Sequence, residues 1–332
     1  MISSTTKGTI MILLSAIFFG LMPFFALKTY AEGFDVNNLL LYRYTFAFIL
    51  IGLFCMYKRI QIRISRKQFF HLLLAALVGT MMTTYTLFKS YQYISSGLAS
   101  TLHFVYPIFT LALASLLFKE RFTGRKLLAL LLSFAGIAIL ATGSGGDLNM
   151  VGILWALASG ILYAFYIITM AHPELKNLNS FTATFWIFGF TAVLFLIQGL
   201  VTNDINLHFT PKALFYTLNL SVWSSFAAVV LFFNGLKRIG PGNASLLSTL
   251  EPLTGVLVGV LVFHETLDMK SLVAMLLILG SVFTVIQHKG QPAEAGKAPS
   301  IPWWKTAFSS LKRHQRLAYV FVLLKGSKKR PL

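Results

Sequence analysis

The chain is short of charge. Of its 332 residues 11% are charged, and only ten are acidic. A soluble globular chain carries about 25% charged residues. With so few, a water-facing surface cannot be covered, and a soluble globular fold is excluded in favour of a polytopic membrane protein. Cysteine is scarcer still. Cys55 stands alone, which excludes an intramolecular disulfide; inside its apolar run it reads as a small buried apolar residue. The short motifs of catalysis are also missing. No P-loop, CxxC, HExxH or GxSxG occurs, so ATP-driven pumping by this chain, a cofactor and a metal centre are not expected. GSGGDLN (143–149) is glycine-rich, but no lysine follows it, and it reads as a flexible loop. A membrane-embedded enzyme would need acid, base or metal ligands clustered at one interface, whereas the few acids are scattered along the chain, mostly in connectors.

What the chain has in abundance is apolar sequence: 56% of it is hydrophobic. Crossing a bilayer takes roughly 20 helical residues. Ten runs qualify: 8–28, 37–57, 68–90, 95–118, 125–143, 150–171, 180–201, 211–235, 241–263 and 270–287. The first follows Lys7 but is longer than the apolar core of a signal peptide, so it is expected to be retained. An all-α membrane protein of ten transmembrane helices is therefore predicted.

The net charge of +18 is distributed by side. Lys58, Arg59, Arg63, Arg66 and Lys67 follow the second run. Lys119, Arg121, Arg125 and Lys126 follow the fourth, and Lys237 and Arg238 the eighth. The alternate connectors carry Glu32, Asp35, Asp147, Asp204, Glu265 and Asp268, and only Lys89, Lys212 and Lys270 run against the trend. The positive-inside rule then predicts both termini in the cytoplasm and an even number of spans. Residues 288–332 hold ten basic residues against the single acid Glu294. Their segment WWKTAFSSLKRHQRLAYVFVLL reads either as an interfacial helix on anionic lipid or as a disordered basic tail. Basic residues that flank apolar runs mark topology, so nucleic acid is not an expected partner. The sequence does not decide between a monomer and a homodimer.

The chain also repeats itself. A shift of 145 residues lays ISSGLASTLHFVYP (94–107) over IGPGNASLLSTLEP (239–252), matching Ile94, Gly97, Ala99, Ser100, Leu102 and Pro107 with Ile239, Gly242, Ala244, Ser245, Leu247 and Pro252. Phe118 and Glu120 fall on Phe263 and Glu265, and a shift of 144 pairs Gly8, Leu13, Ser15 and Ile17 with Gly152, Leu157, Ser159 and Ile161. Residues 8–143 and 150–287 thus read as two copies of a five-helix unit. An odd number of spans turns the second copy over, giving a 5+5 inverted-topology repeat with a central site between the halves, the architecture of alternating access.

Such a repeat, with LEP opening an apolar run that ends in Glu (Leu250–Glu265), resembles the EamA-type drug/metabolite transporters; the first half carries the shorter form, Pro107 to Glu120. The resemblance covers about residues 8–287. It implies a secondary transporter of the bacterial plasma membrane, exporting small organic solutes such as amino acids or related metabolites. A lipid flippase or an uncoupled facilitator is the alternative. Two features depart from the pattern: Tyr106 stands where the second half has Glu251, and the basic tail follows Gln287.

Several polar residues interrupt the apolar runs, and each has two readings. Glu251 sits half-way along the ninth run, where a lone carboxylate costs about 2.5–3.5 kcal/mol to insert. It is either a proton-coupling or amine-binding group, or a packing carboxyl satisfied by amides or hydroxyls. Ser248 and Gly255 lie one turn to either side of it. Pro107 and Pro252 remove backbone donors at mid-depth and read as hinges, as helix-shaping residues, or as both. His103 shares a face with Tyr106 and Thr110, and either handles a proton or substrate or packs as a neutral ring. Arg43 and Lys89 either snorkel outward or attract an anionic substrate. Thr80, Thr83 and Thr84 form a polar stripe or bond backbone carbonyls. Trp223, with Asn219 one turn before it, reads as cavity wall or as core. Tyr91 lies near Tyr85 and Lys89, and Tyr163 and Tyr166 are further candidates. The substrate cavity is expected at His103, Tyr106, Ser248, Glu251, Trp223 and Tyr85.

Overall fold

A computed structural model describes residues 3–94, 96–118, 123–143, 149–208, 210–254, 257 and 269–287. The basic tail, Gly255, Glu120, Glu265 and most of the 143–149 loop lie outside the described residues. Regular structure among the described residues is helical throughout.

The first helix, α1 (Ser4–Ala31), starts where the Ser3 hydroxyl accepts from the Thr6 amide, and it bends at Leu21, ahead of Pro23. In α2 (Val36–Tyr57) the Asp35 carboxylate caps the amides of Asn37 and Asn38. A capping box of Ser65 and Gln68 opens α3 (Arg66–Ser90). The fourth helix, α4, comes as two pieces, Ser96–His103 and Tyr106–Phe118. Next come α5 (Gly124–Gly143), α6 (Met150–Met170) and α7 (Ser180–Thr202), with a four-residue helix, Pro173–Lys176, between the last two. The Thr210 hydroxyl caps α8 (Pro211–Ile239), which Gly240 ends at φ +81°. Then α9 starts as Pro241–Leu247 and resumes at 250–254, and α10 spans Met269–Gln287.

Six of these helices, α1, α2, α3, α6, α7 and α8, are long and apolar enough to cross a membrane, and Tyr106–Phe118 and Leu272–Thr284 are shorter apolar helices. The outward faces of the helices are oily: Leu53, Leu131, Leu200 and Phe283 are each about 60% exposed. Small polar side chains point inward instead, with Ser15, Thr29, Ser159, Thr184 and Ser221 fully buried. That inversion of the soluble pattern is what a bilayer demands, because a hydroxyl in hydrocarbon needs a protein partner. This is a multi-pass membrane protein.

The helices pack in pairs, α1 with α8, α3 with α6, α2 with α7 and α5 with α10. The first two pairs exchange under the sequence shift, down to single contacts. A Cβ on Gly8 would lie 2.8 Å from Ile239, and a Cβ on its counterpart Gly152 would lie 2.9 Å from Ile94. So Gly8 and Gly152 are glycines because each lets two helices touch at an equivalent crossing. Each half therefore completes its packing on the other. Polar bonds also tie the halves at both ends. At the end carrying Asp35 and Asp204, Asn38 donates to Asp35 (2.6 Å) and to the Asp204 carbonyl (2.9 Å) and accepts from the Asn206 amide (2.8 Å). At the opposite end Lys67 pairs with Glu174 at 3.6 Å, Gln68 donates to the Glu174 carbonyl, and Thr182 and Trp186 donate to the Gln61 and Ile62 carbonyls.

Candidate functional site

Two kinds of irregularity interrupt these helices. The first is a break. In α4 the helix lapses at Phe104–Val105, just before Pro107; in α9 it lapses at Ser248–Thr249, just before Pro252. A proline has no N–H to give the preceding turn and crowds it, so the break falls upstream of the ring. The second is a widened turn. Residues Ala75–Met82 of α3 and Leu220–Ala227 of α8 are π-helical. These two segments are 145 residues apart at both ends. In the first, the Thr80 and Thr83 hydroxyls reach back to the Ala75 and Val78 carbonyls. In the second, Ser221 and Ser224 donate across helices to the Arg43 and Phe18 carbonyls.

A cavity with about 50 Å³ of space is lined by Gly79 and Thr80 of the first π segment and by His103 and Glu251 beside the two breaks. One water needs about 10–15 Å³ on this measure, so there is room for a small group only. Both halves of the chain supply its wall. Met22, Arg43, Thr80, Thr83, Thr84 and His103 come from the first; Tyr163, Tyr166, Phe188, Val229 and Glu251 come from the second.

His103 is 5% exposed, and its Nδ1 lies 2.8 Å from the Ser159 hydroxyl. Ser159 spends its one proton on the Ala156 carbonyl at 2.6 Å. With that proton committed, Ser159 accepts from the ring, which places a hydrogen on Nδ1. Helix α6 comes this close because residue 160 is glycine: a Cβ there would sit 2.5 Å from the His103 carbonyl. Glu251 is half-buried, one turn past the break in α9, and Gly20 of α1 lies against its carbonyl.

Of the two readings of Arg43, burial removes the first: at 2% exposed it does not snorkel. Its Nε donates to Ser225 Oγ (2.7 Å), Nη1 to Met22 Sδ (3.2 Å) and Nη2 to the Ser224 carbonyl (3.2 Å). The rings of Tyr44 and Phe88 flank it at 5.2 and 5.3 Å. Among the described residues the one ion pair is Lys67–Glu174, so Arg43 has no carboxylate partner there.

Of the expected wall residues, His103 and Glu251 line the cavity, with Thr80, Thr83, Thr84, Tyr163 and Tyr166. Tyr106 is fully buried behind His103, ring to ring at 5.4 Å; its hydroxyl is near Ser248 but makes no well-formed hydrogen bond among the described residues. The Ser248 hydroxyl is turned back to the Ala244 carbonyl. Trp223 is not on the wall. It is 40% exposed, lies against Phe18 and donates to Asn219 on the outer surface of the bundle. Tyr85 is not on it either, being packed edge-on against Trp155. Lys89 sits over the Tyr93 ring. Tyr44 and Phe188 escaped sequence reasoning, since an aromatic in an apolar run carries no mark of the side it faces.

A model of the EamA-like transporter family matches residues 6–142 and again 150–287. The chain belongs to the EamA-like transporter family. It is 28% identical over 214 residues to the uncharacterized transporter YvbV of Bacillus subtilis, covering 61% of this chain and 68% of that one. An uncharacterized inner membrane transporter of Salmonella typhimurium, YicL, is 25% identical over 304 residues, covering 88% and 99%. A solved crystal structure shares the fold, with a TM-score of 0.70 at 16% identity over 85% of this chain and 97% of that one. This EamA protein is a membrane transporter.

Proposed function

We propose that this EamA protein is a secondary transporter that exports small organic solutes, amino acids or related metabolites, across the bacterial plasma membrane. It works by alternating access, with ten spans in a 5+5 inverted repeat and both termini cytoplasmic. The observation that carries this reading is the cavity shared by both halves beside paired breaks at Pro107 and Pro252. Equivalent weak points in two inverted halves let one end open as the other closes. Glu251 and His103, from opposite halves, supply the polar chemistry, and Pro107 and Pro252 are the bending points. The guanidinium of Arg43 and the carboxyl of Glu251 suit a solute bearing both charges.

The test is flux of an amino-acid panel in proteoliposomes under an imposed pH gradient. Accumulation should respond to the gradient, and Glu251→Gln should cut the gradient-driven rate at least tenfold while the protein still folds. Flux indifferent to the gradient with a wild-type Glu251→Gln would remove proton coupling and leave the uncoupled facilitator. Lipid movement without solute flux would point to a flippase.

A further inference from the structure

We propose that Arg43 is an anion subsite of the central cavity and takes a small organic carboxylate. The proposal deepens the transport reading and rests on that cavity being the solute site.

A guanidinium has five N–H groups, and three of Arg43's find acceptors among the described residues. All three acceptors are neutral, and one is a thioether, among the weakest acceptors a protein offers. A structural arginine at this burial is ordinarily paired with a carboxylate, because an uncompensated charge away from water is costly. Arg43 has no such partner among the described residues, yet it lines the cavity. The rings of Tyr44 and Phe88 lie 5.2 and 5.3 Å from it, and two of its five N–H groups find no acceptor among the described residues. A guanidinium fork binds a carboxylate through two parallel hydrogen bonds. Met22 Sδ holds one of those positions weakly enough to be displaced.

Charge and size narrow the ligand further. Among the described residues Arg43 is the only permanent cation on the wall, and Glu251 shares that wall. A dianion such as phosphate would be under-compensated, whereas a monocarboxylate is matched. The narrow space admits a small one. The subsite is built by one half reading the other: under the 145-residue shift Arg43 falls on Phe188, and Glu251 falls on Tyr106. Each half contributes its charge where the other has an aromatic ring. The charged groups are therefore placed asymmetrically on a repeated scaffold.

The experiment measures binding, not flux, on the purified full chain, by ligand-induced shift of the thermal midpoint and by isothermal titration. The probes are L-alanine, L-alaninamide and propionate. Alanine and propionate should bind and alaninamide should bind at least tenfold more weakly. Arg43→Gln should lose at least tenfold in affinity for both carboxylates, and Arg43→Lys, which keeps the charge but not the fork, should lose less. Should Arg43→Gln fail to fold, Arg43→Lys carries the test and should still weaken both carboxylates without affecting alaninamide. Equal binding of alanine and alaninamide, no binding of either carboxylate, or undiminished carboxylate binding in the variants would each overturn the subsite. Carboxylate binding without flux in proteoliposomes would leave the subsite standing and sink the transport reading instead. Flux of other solutes, unaffected by carboxylates, would do the reverse.

Discussion

Ser159 has one proton, and where it goes decides what His103 can do. Given to the Ala156 carbonyl, it obliges the imidazole to donate from Nδ1. Replacing Ser159 by Ala strands a buried ring N–H. That should cost about 1–3 kcal/mol of stability, and the nitrogen shifts of a labelled His103 should show the ring redistributing between tautomers. Gly160→Ala makes a different demand. Its Cβ would lie 2.5 Å from the His103 carbonyl and 2.7 Å from Val105 Cγ2, inside the break of α4. Backbone must move, and a cost of about 1–3 kcal/mol should appear as a lower unfolding midpoint. At this scale the sequence was informative where a residue was chemically odd. Glu251 and His103 stand out in oily runs, and both line the cavity. Trp223 and Tyr85 were misplaced because an aromatic suits lipid, core and cavity alike. Between the two readings of Arg43 the sequence could not choose, because its acceptors Ser224 and Ser225 lie about 180 residues away and nothing local announces them.

At the scale of the element, prolines were legible and π turns were not. Pro107 and Pro252 sit beside real breaks. The π segments AALVGTMM and LSVWSSFA match in position but share almost no residues. A wide turn is kept by what it packs against, so the chain's own letters do not spell it. The short helix Pro173–Lys176 carries a pH prediction. His172 Nδ1 accepts the Glu174 amide and so caps this helix, while the ring stacks on His71 at 4.3 Å. Burial lowers the His172 pKa, the neighbouring His71 lowers it further, and Glu174 opposes. The neutral ring is thus the folded form, and the unfolded chain takes up the proton first. The contribution is complete above the ordinary histidine range, about 6.5, and is lost as pH falls below it. A thermal midpoint that falls between pH 7.5 and 5, with a shallower fall in His172→Asn, would bear this out. Identical slopes would refute it.

For the whole molecule, the exchanged packing of α1 with α8 and α3 with α6 was foreshadowed by the shift that aligns Gly8 with Gly152 and Ile94 with Ile239. Repeats are legible because equivalent crossings need equivalent small residues. The polar ties between connectors were not, since Asn38 is bound to partners beyond residue 200 through backbone groups that every residue has. Asn38→Ala removes the tie to the 203–210 connector and strands the Asn206 amide. A loss of about 1–3 kcal/mol is expected. Faster hydrogen exchange should follow at residues 204–206, with little change at the Lys67–Glu174 end.

The exchanged pairs also set a timetable for the nascent chain. Ser15 donates to the carbonyl of Ala228, 213 residues later. At about 5–20 residues per second, the ribosome delivers that acceptor roughly 10–40 s after the donor. Through that interval α1 sits in the bilayer with its hydroxyl bonded to its own backbone or to a surrogate. Assembly then includes a handover, in which α1 is claimed by a helix made about 200 residues later.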